Sequence, residues 1–411
     1  MYILYDLFFL GVFIFGLVYY FLKAKFHRDI LLRIKLFKME FLSGSIWIHA
    51  VSVGEAKIAK VLYFMIKDKF PEKTVVISTV TRTGNKIVKS FISGSDKLIY
   101  FPLDFSFIVK SFIKTINPNV FISIETEIWP NLFYFLNKNN TPIIILNGRI
   151  SPASFMRYKV VRGLFKNVLK KVSLFCMQTQ TDADRIVSLG ADSEKVIKTG
   201  SIKFDIAIKE DIYFKNSLGI NEDELVFLAG STHPGEELII FNVFKNIKRQ
   251  FPNLKLVLAP RHTERVETIE ALLRNMDLSF IRFSAVSGKM NEDIIIVDIM
   301  GKLAQIYAAA DVVFVGGSLI KKGGQNILEP AFFAKPIIFG PFMFNFSQIS
   351  ELFIKENAAK MVFNQEELYE TVKELLEDNK KRFSLGLKAK EILDRNKGAL
   401  QDTFSKIEKF L

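Results

Sequence analysis

A single cysteine among 411 residues excludes an intrachain disulfide and a cysteine-based zinc site. Cys176 stands in the apolar run SLFCM, with no neighbouring histidine or basic cluster to activate it, so a buried thiol and a reducing compartment are expected. The chain also lacks G-x-G-x-x-G at its strand ends, a Walker lysine, H-E-x-x-H and any D-x-D-like cluster. Those absences disfavour a nicotinamide dehydrogenase, a P-loop enzyme and chemistry on a bound divalent ion. No zinc finger, helix-turn-helix or RNA-recognition signature occurs, and no internal repeat or low-complexity segment is present. Acids are the scarcer charge: 43 Asp and Glu against 56 Lys and Arg leave a formal net charge of +13. That excess calls for an anionic partner, and with nucleic acid disfavoured an anionic membrane surface is expected.

Hydrophobic residues at 49% and charged residues at 24% give a globular composition, and the length fits two domains better than one. The N-terminus runs uncharged from Leu7 to Leu22 and is followed by Lys23, Lys25, Arg28, Arg33, Lys35 and Lys38. As a helix that run reaches about 24 Å, marginal for a hydrocarbon core of about 30 Å. Its basic flank leaves the rest of the chain on the cytoplasmic side, and no cleavage site precedes it.

From Ile46 short apolar strands alternate with helical stretches: IWIHAV, TVVIST, KLIYF, VFISI, PIIILN, SLFCMQ and KVIKTG, then LVFLAG, LKLVLA, IIIVD, VVFVGG and KPIIFG. Continuous apolar strands between helices predict parallel sheets covered on both faces, hence two doubly wound α/β domains joined near GSIKFDIAIKE. Such sheets bind ligands beyond the carboxyl ends of their strands, so an interdomain cleft is the expected site. The unusual polar stretches all fall at strand ends.

HAVSVGE places Glu55 where the first strand hands over to a helix. SIETEIWPN places Glu125 and Glu127 after a later strand, where one of them could cap the helix starting at Trp129-Pro130, and GSIKFD brings Lys203 to the domain junction. GGSLIKKGGQNILEP is a glycine-rich turn that opens a helix at Asn326, so its backbone amides could cradle one phosphate, with Glu329 near ribose hydroxyls. APRHTER carries Arg261, His262 and Arg265, whose guanidinium forks suit phosphate. His233 fits an ordinary turn histidine and His49 a strand residue.

In order, HAVSVGE, ETEIWPNL, NGRIS, GSIKFD, GSTHPGEE, APRH-ER, GGSL…GGQNILEPA and GPFMFNF resemble the 3-deoxy-D-manno-octulosonic acid (Kdo) transferases of lipid A assembly, glycosyltransferase family 30, over almost the whole chain. The resemblance implies the GT-B fold and inverting, metal-independent transfer of Kdo from CMP-Kdo to lipid IVA in lipopolysaccharide synthesis at the inner membrane, with no cofactor. It implies Glu55 as general base, Glu125 and Lys203 as transition-state stabilisers, and CMP contacts from Pro260, Arg261, Met300, Gly301, Lys302, Asn326, Ile327, Leu328 and Glu329. Gln325 stands where many members have histidine, Phe342 replaces the histidine of a GPH triplet, and Lys302 stands where an acid is frequent. The expected domains are 1–38, membrane anchor and basic belt; 39–202, acceptor-binding; 203–385, CMP-sugar-binding; and 386–411, a C-terminal helix packing back on the N-terminal domain. The runner-up is a GT-B enzyme acting on a UDP-sugar, as transferase or epimerase; a membrane-tethered nucleotide-binding scaffold is a third reading.

Overall fold

The computed structural model describes residues 5–7, 9–11, 13, 28–34, 40–205 and 212–411, which form two compact units, Met1–Ile206 with Lys397–Leu411, and Ala207–Asn396. Unit 1 is built on β1 (Ser45–Ala50), β2 (Val75–Thr79), β3 (Lys97–Tyr100), β4 (Pro118–Ile124), β5 (Ile143–Gly148), β6 (Leu174–Met177) and β7 (Val196–Lys198). They pair in parallel in the order β3-β2-β1-β4-β5-β6-β7. Between them run α1 (Val53–Lys69), α2 (Arg82–Lys89), α3 (Ser106–Ile116), α4 (Pro130–Lys138), α5 (Pro152–Val160), α6 (Arg162–Leu169) and α7 (Gln180–Ser188).

The two-residue period of the strands divides the core. Trp47 and Phe121 face a cluster shared with α3, α4, α6 and α7, whereas Ile46, Ile48, Ile122 and Ile124 face one shared with α1. Each of these wholly buried side chains stabilises the unit by about 1.5–3 kcal/mol. The chain crosses from one side of the sheet to the other between β1 and β4, and polar loops gather where that order reverses.

Unit 2 repeats the plan with β8 (Leu225–Thr232), β9 (Leu254–Pro260), β10 (Phe280–Arg282), β11 (Ile294–Ile296), β12 (Val312–Val315), β13 (Ile337–Phe339) and β14 (Lys360–Met361), in the order β10-β11-β9-β8-β12-β13-β14. Its helices are α8 (Glu236–Lys248), α9 (Val266–Asn275), α10 (Leu303–Ile306), α11 (Leu328–Phe332), α12 (Ser347–Lys355), α13 (Gln365–Glu377) and α14 (Asn379–Arg395). The expected pair of parallel α/β sheets is thus present, with two short edge strands, β10 and β14, beyond those predicted.

The structure divides the chain differently from expectation at two places. Residues 203–205 belong to unit 1, not to the second domain, and α14 belongs to unit 2, so that the chain returns only with α15 (Ala399–Ile407). The reason is a capping interaction: the Asp205 carboxylate accepts the amides of Gly398 (2.6 Å) and Leu400 (2.7 Å), while Ile202, Phe404 and Ile407 share one core cluster. The helix starting at Pro130 is capped by neither Glu125 nor Glu127. Buried Asp104 accepts the amides of Asn131 (3.1 Å) and Leu132 (2.8 Å), and desolvation pushes its carboxyl up to about 7.

The expected N-terminal anchor, 7–22, and its basic belt fall mostly outside the described residues; among those described, no helix is long and apolar enough to cross a membrane. Phe9 and Phe13 do lie edge-on to Phe105, at 4.9 and 5.7 Å.

Cys176 is wholly buried in β6, and burial pushes its thiol up to about 12. The folded protein should therefore leave an aromatic disulfide reagent unreacted over the time in which the urea-unfolded chain titrates one thiol per molecule; rapid native labelling would contradict the packing of this sheet.

Candidate active site

In unit 1 the site starts from the hand-over of β1 to α1. Ser52 is the extended N-cap residue; its Oγ accepts the Glu55 amide (3.4 Å) and donates to Glu55 Oε1 (2.7 Å), while the Val51 amide donates to Glu55 Oε2 (2.6 Å). This is a variant of the S-x-x-E capping arrangement in which the Glu side chain takes the N-cap hydroxyl and the amide one residue earlier, and it fixes both carboxylate oxygens. Glu55 is only 7% exposed. Burial raises its pKa above the ordinary carboxylate range, and the charge of Glu125 adds to this; the Ser52 and Val51 hydrogen bonds and the Lys203 ammonium oppose it.

Glu125 follows β4 with a left-handed backbone, φ 60°, a conformation costing about 1–2 kcal/mol for a residue with a Cβ. Its amide donates to the Leu146 carbonyl (2.8 Å), and Oε1 meets Lys203 Nζ at 3.0 Å. Glu127, two residues on, is pushed up to about 7 by burial and by the charges of Glu55 and Glu125. The charge of Glu125 thus bears on both Glu55 and Glu127, and the Lys203 ammonium is paired to Glu125.

Asn147 positions Lys203. Its Oδ1 accepts the Ile202 amide (3.1 Å) and its carbonyl accepts Gln178 Nε2 (2.9 Å). Gly148 beside it packs closely on the Met177 thioether, which would have to shift to admit a Cβ. The Arg149 amide donates to Thr126 Oγ1 (2.9 Å), tying the NGR turn to the ETE loop. Glu55, Glu125 and Lys203 are therefore brought together at the carboxyl edge of one sheet. Sequence reasoning singled out Glu127 only as one of the acid pair in ETE, without a role in the chemistry, and passed over Asn147 as a site group. His49 is a core residue: its ring stacks on Phe101 at 3.7 Å, its Nδ1 lies 3.0 Å from Ser78 Oγ, and burial drives its pKa down to about 3.

Unit 2 carries the other motifs at the carboxyl ends of β8, β9, β11 and β12. The buried Glu236 carboxylate organises them, accepting four backbone amides: His233 (3.0 Å), Gly317 (2.7 Å), Ser318 (3.0 Å) and Leu319 (3.1 Å). Gly316 leaves no room for a Cβ, which would lie 2.6 Å from the Ser231 carbonyl oxygen. Pro260 is buried at the end of β9 and Arg261 is exposed beyond it, with its amide on the Thr232 carbonyl (2.9 Å). The His233 and His262 rings are 5.9 Å apart; burial, then His262, Lys322 and Arg261 lower the pKa of His233. Arg265 is committed to structure by two hydrogen bonds to Glu237, at 2.7 and 3.3 Å.

The helix expected to open at Asn326 starts two residues later and has five residues, so its dipole is small. Asn326 instead links the turn to it, accepting the Leu328 amide (3.1 Å) and donating to Glu329 Oε1 (3.0 Å). Ile327 and Leu328 are buried, and the Leu328 amide is already engaged by Asn326. After β11, Met300 and Gly301 are exposed, and Lys302 Nζ lies 5.1 Å from the centre of the Tyr213 ring.

Comparison with known proteins agrees with this layout. Residues 27–206 match the family described as 3-deoxy-D-manno-octulosonic-acid transferase (kdotransferase). A 3-deoxy-D-manno-octulosonic acid transferase of Haemophilus influenzae is 35% identical over 89% of this chain and 87% of that protein. A bifunctional glycosyltransferase/methyltransferase of Fusobacterium nucleatum is 38% identical over 82% of this chain, which spans 53% of that longer protein. In fold alone, a UDP-GlcNAc 2-epimerase from Neisseria meningitidis superposes with a TM-score of 0.59 at 12% identity, over 89% of this chain and 100% of that one.

Replacing Glu236 by Ala strands four amide donors in a dry site and should cost roughly 3 kcal/mol or more. Urea unfolding should rank wild type above Glu236→Gln above Glu236→Ala; equal midpoints would show that the loops hold without this carboxylate.

Proposed function

Because the chain belongs to the 3-deoxy-D-manno-octulosonic acid transferase family and is a glycosyltransferase, we propose that it transfers Kdo from CMP-Kdo to lipid IVA, with inversion and without a metal. The observation that carries this reading is Glu55, a buried carboxylate of raised pKa pinned at a helix start beside the Glu125–Lys203 ion pair. A general base needs a pKa drawn towards the working pH and a fixed direction of approach, and Glu55 has both. In the proposed step an acceptor hydroxyl attacks the anomeric carbon of Kdo and its proton passes to Glu55. The bond from that carbon to the CMP phosphate oxygen breaks on the opposite side, and CMP leaves with the electron pair. Glu125 and Lys203 stabilise the charge that develops as the carbon loses its leaving group.

On the donor side, Arg261 and the 326–329 turn take the single phosphate of CMP. Pro260, Met300, Gly301 and Lys302 contact the nucleotide, and Glu329 accepts from the ribose hydroxyls. One phosphate charge is within reach of an arginine and this turn, which removes the need for magnesium. An uncharged run from Leu7 to Leu22 with basic residues behind it supports an anchor in the inner membrane, with both units on the cytoplasmic side.

Incubation with fresh CMP-Kdo and lipid IVA should yield a product heavier by one Kdo or more by mass spectrometry, and yield should survive exhaustive chelation. CMP should compete and UDP should not; competition by UDP alone would favour the UDP-sugar reading.

The pH dependence has a definite sign. Glu55 must be ionised to accept a proton, so kcat/KM rises with pH through its elevated pKa. Lys203 lowers that pKa, so Lys203→Met should move the acid limb of the profile to higher pH as well as lowering the plateau. An unmoved limb would separate Lys203 from the base.

A further inference from the structure

The loop after β13, GPFMFNF, is fastened to the glycine-rich turn between β12 and α11. The Phe342 amide donates to the Ser318 carbonyl (2.9 Å) and the Gly340 amide to Ser318 Oγ (2.8 Å). Asn345 donates twice, through its amide to the Gly323 carbonyl (2.9 Å) and through Nδ2 to the Lys322 carbonyl (3.2 Å). Gly323 packs against the Phe344 ring and the Asn345 side chain too closely for a Cβ to enter without moving them. The backbone of the loop is thereby spent on the turn, and Phe344 is held 56% exposed.

The loop's apolar side chains line a groove of about 520 Å³ within unit 2. Its floor is the edge of the sheet, where the parallel register of β13 and β14 sets Phe339 beside Met361. Its far wall is α12. Ser347, Ser350, Glu351, Ile354 and Lys355 recur three or four residues apart, so one stripe of that helix faces the groove, while Ile349 and Phe353 are buried on its other side. Phe342, which replaces the histidine of the GPH triplet, keeps the near wall apolar where an imidazole would make it titratable.

A groove of this volume falls within the range of about 300–1,000 Å³ usual for small-molecule sites. It stays open because the bonds to the turn prevent the loop from collapsing onto α12. The polar groups on its helical wall are already satisfied: Ser350 Oγ donates to the Ser347 carbonyl (3.0 Å) and the Ser350 amide to the Phe346 carbonyl (2.8 Å). An occupant gains few hydrogen bonds there, and a peptide would strand its own amides and carbonyls against Phe339, Ile354 and Met361. An alkyl chain has none to strand. The rim is cationic by two to one: Lys355 is exposed at the end of α12, Lys321 Nζ lies 5.8 Å from the centre of the Phe342 ring, and Glu351 is the acid beside them. That balance suits an anionic head.

We propose that this groove binds a single-chain anionic amphiphile of the fatty-acid class, with its alkyl chain between α12 and the β13–β14 edge and its carboxylate at Lys355. The site lies wholly in unit 2 and holds whichever nucleotide sugar is the donor.

The test uses the full chain in discs of zwitterionic phosphatidylcholine, irradiated with a diazirine-bearing dodecanoate and mapped by mass spectrometry of its peptides. Label should saturate within residues 339–361, and unmodified dodecanoate should displace it where dodecyltrimethylammonium does not. Lys355→Glu should raise the half-saturating concentration by about tenfold. Ile354→Glu, which puts a charge into the groove, should abolish saturable labelling. Melting curves report whether each variant is folded, and exposed Lys355 carries the test alone if Ile354→Glu is not.

The proposal is overturned if no saturable label appears between residues 339 and 361, if the cationic amphiphile competes as well as dodecanoate, or if folded Lys355→Glu saturates at the wild-type concentration. Labelling that falls as protein concentration rises would overturn it too, since a second copy would then be what covers the groove.

Discussion

The reciprocal bonding of Ser52 and Glu55 is the constraint on which the site depends. A carboxylate in a place only 7% exposed would ordinarily neutralise or turn outward to water. Here the Val51 amide and the Ser52 hydroxyl each hold one oxygen, so the group stays inward and aimed. Everything around it then acts on its proton affinity: burial and Glu125 push that affinity up, Lys203 pulls it back. Asn147 matters because its bond to the Ile202 amide holds the residue next to Lys203 at the same sheet edge, across a separation of 55 residues in the chain.

Both units use the reversal of strand order in the same way. In unit 1 the loops after β1 and β4 carry Glu55 and Glu125; in unit 2 the loops after β8 and β12 are joined by Glu236. The carboxylates have opposite duties. Glu236 has all its lone pairs engaged by four amides and serves as a structural anion, whereas Glu55 accepts two hydrogen bonds and keeps acceptor capacity for a substrate hydroxyl.

The strands of both sheets were legible because each is a short apolar run bounded by polar turns, and the period of two accounts for both faces of the core. β10 and β14 were not, since three or two partly exposed edge residues leave no such pattern. The S-x-x-E spacing of SVGE stands in the sequence, yet the bonds by which Ser52 and Val51 hold the Glu55 carboxylate appear only in the folded chain. Asp104 capping a helix 26 residues away and Asp205 capping one nearly 200 residues away are tertiary facts that no local pattern carries. Lys203 was placed in the wrong unit for that reason. His49 illustrates the converse: a histidine beside a site motif is part of the core because its ring stacks on Phe101.

Glu55→Gln separates capping from catalysis most directly, since glutamine is also a competent residue at that capping position but is no base. Turnover, thermal midpoint and CMP affinity should be measured on the one protein. The expected result is a loss of about 10²–10⁴ in turnover with the midpoint and the CMP affinity nearly unchanged. Retention of more than about a tenth of the turnover would contradict general-base catalysis and leave Glu55 a helix cap.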